Sequence, residues 1–282
     1  MSLKDVLVQN DFHFSKKFGQ NFISDRNLLD AIVEDAGVTA DDTVLEIGAG
    51  AGTLTAALAA KAKEVVAYEI DDNLRPVLAQ TLGGLPNVQV VWQDFLEADV
   101  EALKARFAHA KVVANLPYYV TTPILVRLLD EGIGQSITVM VQKEVADRLA
   151  ATPGGKDYGA ITVKVRLTGR ATVTRIVPRT LFYPQPNVDS AVVRIDVIEG
   201  QFEDEDPALT AKIARGAFAM RRKTLVNNLM QLGYPREKCE EALKSMGLPA
   251  TIRGECLDAK DYVELAKLLK GGTPQDESHK AL

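Results

Sequence analysis

Asn115-Leu116-Pro117-Tyr118 is the stretch of this sequence best suited to chemistry. An Asn or Asp, followed by a short step into proline and then an aromatic, suits methylation of an amine conjugated to a planar ring. Such an amine is a poor nucleophile, because its lone pair is delocalised into the ring. Two acceptors placed at its hydrogens would draw it toward tetrahedral geometry and aim the lone pair at a methyl group. The Asn115 side-chain oxygen is one, and the carbonyl of Leu116 or of Pro117 is the other. Pro117 restricts the backbone so that the acceptor stays pointed, and Tyr118 offers a face on which the ring can stack. The rate gain would come from positioning and preorganised hydrogen bonds. No strong general base is required, since the alkylated amine is acidic enough to lose its proton to water.

A methyl donor needs a pocket, and Val44-Leu45-Glu46-Ile47-Gly48-Ala49-Gly50-Ala51-Gly52 reads as one wall of it. Glycines between a strand and a helix allow a tight turn and let a ligand approach the backbone. Dinucleotide enzymes use similar turns. Here the spacing is GxGxG rather than GxGxxG, and Glu46 precedes the glycines. A pyrophosphate favours a helix N-terminus free of nearby carboxylates, whereas S-adenosylmethionine carries no phosphate to repel. Glu69 lies about 20 residues on, where an acid can accept from ribose hydroxyls. Asp94 follows the next strand and could accept from an adenine amine. Together Glu46, Glu69 and Asp94 mark three successive strand ends on the carboxyl edge of one sheet.

The elements that must position these groups follow from the pattern of β-branched runs. Strands are expected at Thr43–Ile47, Glu64–Ile70, Val88–Trp92, Lys111–Ala114 and Ser136–Val141. Helices are expected at Thr53–Lys61, Leu74–Thr81, Pro123–Asp130 and Lys143–Ala151. This alternation predicts an α/β fold, a doubly wound and mostly parallel Rossmann-like sheet. The loop Thr152–Gly155 interrupts it. Ile161–Leu167 fits strand or helix, Ala171–Val177 and Ser190–Val197 read as strands, and a Pro-rich loop covers Pro178–Val188. From Pro207 onward the pattern is helical, at Pro207–Met220, Thr224–Leu232, Pro235–Met246 and Asp258–Leu269. The expected organisation is a catalytic domain over 1–200, a smaller all-helical domain over 201–270, and a polar tail over 271–282 that reads as disordered.

The 282 residues carry a formal net charge of -5. An acidic total argues against nucleic-acid binding, which depends on Lys and Arg neutralising phosphates. The charge is uneven, however. Base gathers at Lys164, Arg166, Arg170, Arg175 and Arg179, and again at Arg215, Arg221, Arg222 and Lys223, so an acidic total can hide a basic face. The latter group would lie on neighbouring turns if one helix ran through all of it. Two cysteines, Cys239 and Cys256, are too few for a disulfide framework or a zinc cluster. No apolar run is long enough to span a bilayer, and Met1–Gln20 lacks the pattern of a secretory signal. The expectation is a cytoplasmic monomer without a structural metal.

These motifs, in this order, resemble the ribosomal RNA small-subunit adenine dimethyltransferases, the KsgA family. The resemblance runs from about Lys16 to Lys270. It rests on Lys17-Phe18-Gly19-Gln20-Asn21-Phe22-Ile23, on Asn115–Pro123 read as NLPYYVTTP, on Phe182–Ser190 read as FYPQPNVDS, and on Arg221–Leu225 followed by Asn227-Asn228-Leu229. It implies S-adenosylmethionine as methyl donor and S-adenosylhomocysteine as product. Asn21, Ile23, Gly48, Glu69, Asp94 and Asn115 would line the cofactor site, with Gln20, Gly50, Ile70 and Phe95 beside them in the same motifs. Asn115, Leu116, Pro117 and Tyr118 would handle the target amine, and Phe182 would stack on the face of a flipped adenine opposite Tyr118. The family places two methyls on each of two adjacent adenosines in the 3′-terminal hairpin loop of 16S rRNA, within the small subunit or its assembly intermediate. A loop base is already partly unstacked, so extruding it costs little. Arg221, Arg222 and Lys223 would contact RNA. Tyr119 stands where Asn is frequent and Thr121 where Ser is frequent. Neither change removes an acceptor.

Three other readings share parts of this pattern. A large-subunit (23S) adenine methyltransferase of the macrolide-resistance type would share the pocket and the NLPY loop, while RRKTLVNNL and Val188-Asp189-Ser190 favour the small-subunit family. A dehydrogenase would leave the NLPY loop unexplained. A non-catalytic assembly protein would not need Asn115 and Tyr118.

Overall fold

A computed structural model describes residues 3–15 and 18–271. Lys16, Lys17 and the expected tail from 272 onward lie outside the described residues. In chain order the elements are α1 (Leu3–Gln9), β1 (Phe22–Ile23), α2 (Arg26–Asp35), β2 (Thr43–Ile47), α3 (Thr53–Ala59), β3 (Glu64–Glu69), α4 (Arg75–Leu82), β4 (Val88–Trp92), α5 (Val100–Phe107), β5 (Lys111–Asn115) and α6 (Thr121–Glu131). They continue as β6 (Ser136–Gln142), α7 (Lys143–Leu149), α8 (Ala160–Thr168), β7 (Gly169–Val177), β8 (Phe182–Tyr183), β9 (Ser190–Val197), α9 (Pro207–Ala217), α10 (Leu225–Gln231), α11 (Arg236–Ser245) and α12 (Ala259–Leu269).

Seven strands form one sheet in the order β4-β3-β2-β5-β6-β9-β7. β4 through β6 pair in parallel, and β9 runs antiparallel to β6 from Ser190↔Gln142 to Asp196↔Ser136. The sheet is therefore doubly wound and mostly parallel, as the alternation of elements requires. Central strands buried on both faces read as apolar runs, and Val44, Leu45, Val65, Val66, Val112 and Val113 are all fully buried. The chain runs outward from β2 through β3 to β4, then returns to the other side of β2 as β5. That reversal is the crevice where open α/β sheets bind ligands, outside the carboxyl ends of the strands.

The chain separates into two compact units. One comprises 1–147 with 170–197, and the other 148–169 with 198–282. The first therefore differs from a continuous 1–200, because 148–169 clusters with the C-terminal helices. Within the second unit the ambiguous stretch Ile161–Leu167 is helical, and α8 packs on α9 and α12. Tertiary burial of Val163 and Val165 outweighs the strand preference of its β-branched residues. The helical unit has its own core, with Ile213, Leu225, Leu229, Tyr262 and Leu265 fully buried around Tyr158.

One expectation for this unit is corrected. No single helix carries Arg215 through Lys223, because α9 ends at Ala217 and 218–223 form turns. Asn228 on α10 holds that turn in place. Its Nδ2 donates to the carbonyls of Ala217 (2.7 Å) and Met220 (3.3 Å), and its Oδ1 accepts from the Met220 N–H. A buried amide satisfied at both ends pins the loop while Arg221, Arg222 and Lys223 stay exposed.

Candidate active site

The glycine turn opens the site. Gly48 and Gly50 both adopt positive φ, at 84° and 56°, a region that side chains rarely tolerate. The N–H groups of Gly48 and Ala49 donate to the Tyr68 carbonyl, tying the turn to the end of β3. Gly52 also has positive φ, and a Cβ there would meet Leu78 Cδ2 at 2.9 Å, so this third glycine serves the packing of α3 against α4.

A cavity lies over this turn. The N-terminal segment contributes Gln20, Asn21 and Ile23 to its wall, and the glycine turn contributes Gly48 and Gly50. Glu69 and Ile70 enter from the end of β3, and Asn115 through Tyr118 from the end of β5. A second cavity adjoins it and holds Asp94 and Phe95, and the two share Gly48, Ile70, Pro117 and Tyr119. The N-terminal segment and the carboxyl ends of four parallel strands thus bring every expected site residue of the first unit except Phe182 to these two cavities.

The reactive loop is held by its own hydrogen bonds. Asn115 Nδ2 donates to the Asn21 carbonyl at 3.0 Å. Turning the amide over would oppose two acceptors, so Oδ1 is left to accept from a ligand. The Pro117 carbonyl accepts from the Val120 N–H (3.2 Å) and the Thr121 hydroxyl (3.1 Å). No donor among the described residues engages the Leu116 carbonyl, which makes it the available main-chain acceptor of the pair. Tyr118 Oη and Ser190 Oγ share a 2.9 Å hydrogen bond. Burial pushes the Tyr118 phenol up, with the Ser190 hydroxyl partly opposing, so the ring remains neutral.

The carboxylates differ sharply in their surroundings. Glu69 is nearly buried and accepts from three main-chain N–H groups, those of Gly50 (2.7 Å), Ile70 (2.9 Å) and Asp71 (2.8 Å). It therefore shapes the turn as well as facing the cavity. Burial raises its pKa despite these bonds. Asp94 accepts from the Leu96 N–H with Oδ1, leaving Oδ2 for a ligand. Glu46 is fully buried, lines the first cavity, and has no hydrogen-bond partner at either oxygen. Desolvation pushes its pKa up to about 8, with the Thr55 hydroxyl partly opposing and the Glu69 charge adding to the rise. The sequence marks Glu46 as an acid at a strand end beside the pocket, and the structure adds that it is wholly buried. An acid just before a GxGxG turn was the available signal.

Two expected residues have different surroundings from those anticipated. Gln20 lines the cavity, but its amide is engaged by protein, donating to Asp71 at 2.6 Å and accepting from the Ser15 N–H. Phe182 is only 5 % exposed and packs in the cluster containing Ile23, Leu29 and Val192. It pairs with Ile23 across the β1–β8 ladder, as Tyr183 does with Phe22. In this structure Phe182 anchors the N-terminal strand and is not part of either cavity wall. Among the basic residues, Arg166 forms a two-toothed pair with Asp258 and Arg175 another with Asp35. These cations hold structure within their own units. Among the described residues no cluster of His, Cys, Asp and Glu is arranged to hold a metal ion, and no helix is long and apolar enough to cross a membrane.

The doubly wound sheet, the glycine turn and the acids at three successive strand ends define the Rossmann-like methyltransferase class. The family model described as ribosomal RNA adenine dimethylase matches residues 11–270. Proteins named ribosomal RNA small subunit methyltransferase A are similar along nearly the full length. That of Geobacillus thermodenitrificans is 47 % identical over 277 residues, covering 94 % of each chain. That of Streptococcus gordonii is 46 % identical over 275 residues, covering 94 % of this chain and 95 % of the other. Among solved structures, a dimethyladenosine transferase from Plasmodium falciparum superposes with a TM-score of 0.71 at 25 % identity, covering 86 % of this chain and 95 % of that one. The 23S rRNA methyltransferase ErmE superposes with a TM-score of 0.66 at 29 % identity, covering 88 % and 99 %. The chain belongs to the ribosomal RNA adenine dimethylase family.

Proposed function

We propose that this protein transfers methyl groups from S-adenosylmethionine to the N6 amines of two adjacent adenosines in the 3′-terminal hairpin loop of 16S rRNA, acting on the small subunit or its assembly intermediate. The single observation that carries the chemistry is the orientation of Asn115, whose donor is tied to the Asn21 carbonyl so that Oδ1 is free to accept. The small-subunit target follows from relatives at 42–47 % identity, all named for that subunit.

The cavity residues fit this cofactor. Glu69 beside the buried Glu46 disfavours a pyrophosphate, a cationic ligand would draw off the proton that burial keeps on Glu46, and the bare turn at Gly48 and Gly50 allows close approach. Asp94 Oδ2, with Ile70 and Phe95 beside it, suits an adenine ring and its amine. When bound, the cofactor supplies an electrophilic methyl group. Asn115 Oδ1 and the Leu116 carbonyl accept the two amine hydrogens and localise the lone pair. Tyr118, held by Ser190, supports one face of the base. After transfer the alkylated amine gives a proton to water, and the one hydrogen left on the singly methylated nitrogen engages one of the two acceptors for a second round. The basic turn Arg221–Lys223 would contact phosphates of the particle, and a monomer in the cytoplasm completes the reading.

The test is methyl transfer from labelled cofactor to small subunits lacking the modification, read by mass spectrometry of the RNA. Wild-type protein should dimethylate 16S rRNA and leave 23S rRNA in stripped large subunits untouched. Asn115→Ala should fold normally and lose on the order of 10²–10³ in rate, the usual cost of deleting one preorganised hydrogen bond in a transition state. Modification of 23S rRNA instead would favour the macrolide-resistance type of activity.

A further inference from the structure

Tyr119 follows the reactive tetrapeptide and takes no part in the amine chemistry. It is 57 % exposed, and Ile70, at the end of β3, is 45 % exposed. Both are large apolar surfaces, and both line each of the two adjoining cavities. One cavity holds Glu46 and the glycine turn, and the other holds Asp94 and Phe95. A ligand with a polar, cationic end and a flat aromatic end would run from one to the other past this pair. The Tyr119 ring also lies against the N-terminal segment, since a Cβ on Gly19 would come within 3.5 Å of its Cδ1. Gly19 in turn accepts from Asn21 Nδ2, and the Asn21 carbonyl orients Asn115. Partial burial raises the Tyr119 phenol pKa, and the charges of Asp94 and Glu69 add to the rise. The hydroxyl therefore sits in the field of the two carboxylates assigned to the adenine amine and the ribose.

We infer that Tyr119 is a cofactor-positioning residue whose ring, with Ile70, encloses the nucleoside half of S-adenosylmethionine between the two cavities. This rests on the cofactor assignment above and adds a wall that the usual asparagine at this position would not supply. The contribution comes from the aromatic face, because every purine offers a π-surface and a stacking or covering ring excludes water from it. The phenol hydroxyl is incidental, since acids already surround it.

Calorimetric titration of the intact protein separates the possibilities without measuring turnover. The ligands are S-adenosylhomocysteine and 5′-methylthioadenosine, which share the nucleoside half and differ in the amino-acid half. Tyr119→Ala should weaken both by the same factor, roughly tenfold, as expected for loss of one ring from a purine. Tyr119→Phe should stay within about threefold of wild type for both, a spread smaller than one stacking contact. Wild-type protein that binds neither ligand would remove the cofactor assignment itself. Three outcomes overturn the inference while leaving that assignment intact: unchanged affinities in Tyr119→Ala, a loss confined to S-adenosylhomocysteine, or a loss in Tyr119→Phe equal to that in Tyr119→Ala.

Discussion

Glu46 predicts an unusual dependence of stability on pH. Its carboxyl is fully buried with neither oxygen partnered, and its pKa in the folded protein is about 8 against 4.5 for the exposed group. Between these values the folded chain keeps a proton that the unfolded chain has released. The unfolded state therefore binds fewer protons, and stability falls as pH rises through this window. Below about pH 4.5 both states are protonated and the penalty is absent, while above about pH 8 it reaches a plateau. At 1.36 kcal/mol per pH unit, the loss is about 3 kcal/mol by pH 7 and under about 1 kcal/mol at pH 5. Glu46→Gln keeps the shape of the neutral acid and cannot ionise. The ligand-free variant should melt at about the wild-type temperature at pH 5 and several degrees above it at pH 7.5, at roughly 2 °C per kcal/mol for a chain of this size. Differential scanning fluorimetry across pH 5 to 8 is sufficient. If the two melting curves stay parallel over that range, Glu46 is not a desolvated acid in the folded protein.

Two further outcomes follow from the same contacts. Ser190→Ala removes the hydrogen bond that holds the Tyr118 hydroxyl, so kcat should fall by roughly fivefold while affinity for S-adenosylhomocysteine is unchanged, in keeping with a contact worth about 1 kcal/mol that positions the base alone. A parallel loss of cofactor binding would assign Tyr118 to the wrong ligand. Arg221→Glu with Arg222→Glu alters two exposed cations on the pinned turn, and binding to small subunits should weaken, with the slope of log affinity against log salt shallower by about 2. A salt series that superimposes on wild type would make those arginines plain surface charge.

The strands that carry the chemistry were legible because they obey local rules. Thr43–Ile47, Val88–Trp92 and Ser190–Val197 are β-branched runs bounded by turn residues, and the structure gives the same limits. In a parallel sheet the ends of such strands share one edge, so Glu69, Asp94 and Asn115 could be brought together without any long-range information. The β1–β8 ladder was not legible. Each partner has two residues, some 160 positions apart in sequence, and neither leaves a periodic trace. The burial of Phe182 follows from its pairing with Ile23 and was not legible for the same reason. Glu46 was readable as an acid but not as a buried one. Its burial depends on β2 lying inside the sheet, between β3 and β5.

The segment FYPQPNVDS gains its meaning from those long-range contacts. At one end Phe182 pairs with Ile23 and fixes the N-terminal strand, whose Asn21 carbonyl orients the Asn115 amide. At the other end Ser190 begins β9 beside Gln142 and holds the Tyr118 hydroxyl. One nine-residue stretch therefore bears on both the acceptor that prepares the amine and the ring that supports the base. The acceptor and the ring must keep a fixed separation for the amine to meet the methyl group, and small errors in such placement are costly. A single covalent segment anchoring both is a direct way to preserve that separation. It also explains why the motif combines a buried aromatic, rigid prolines and a small hydroxyl, instead of the charged groups expected of a second catalytic site.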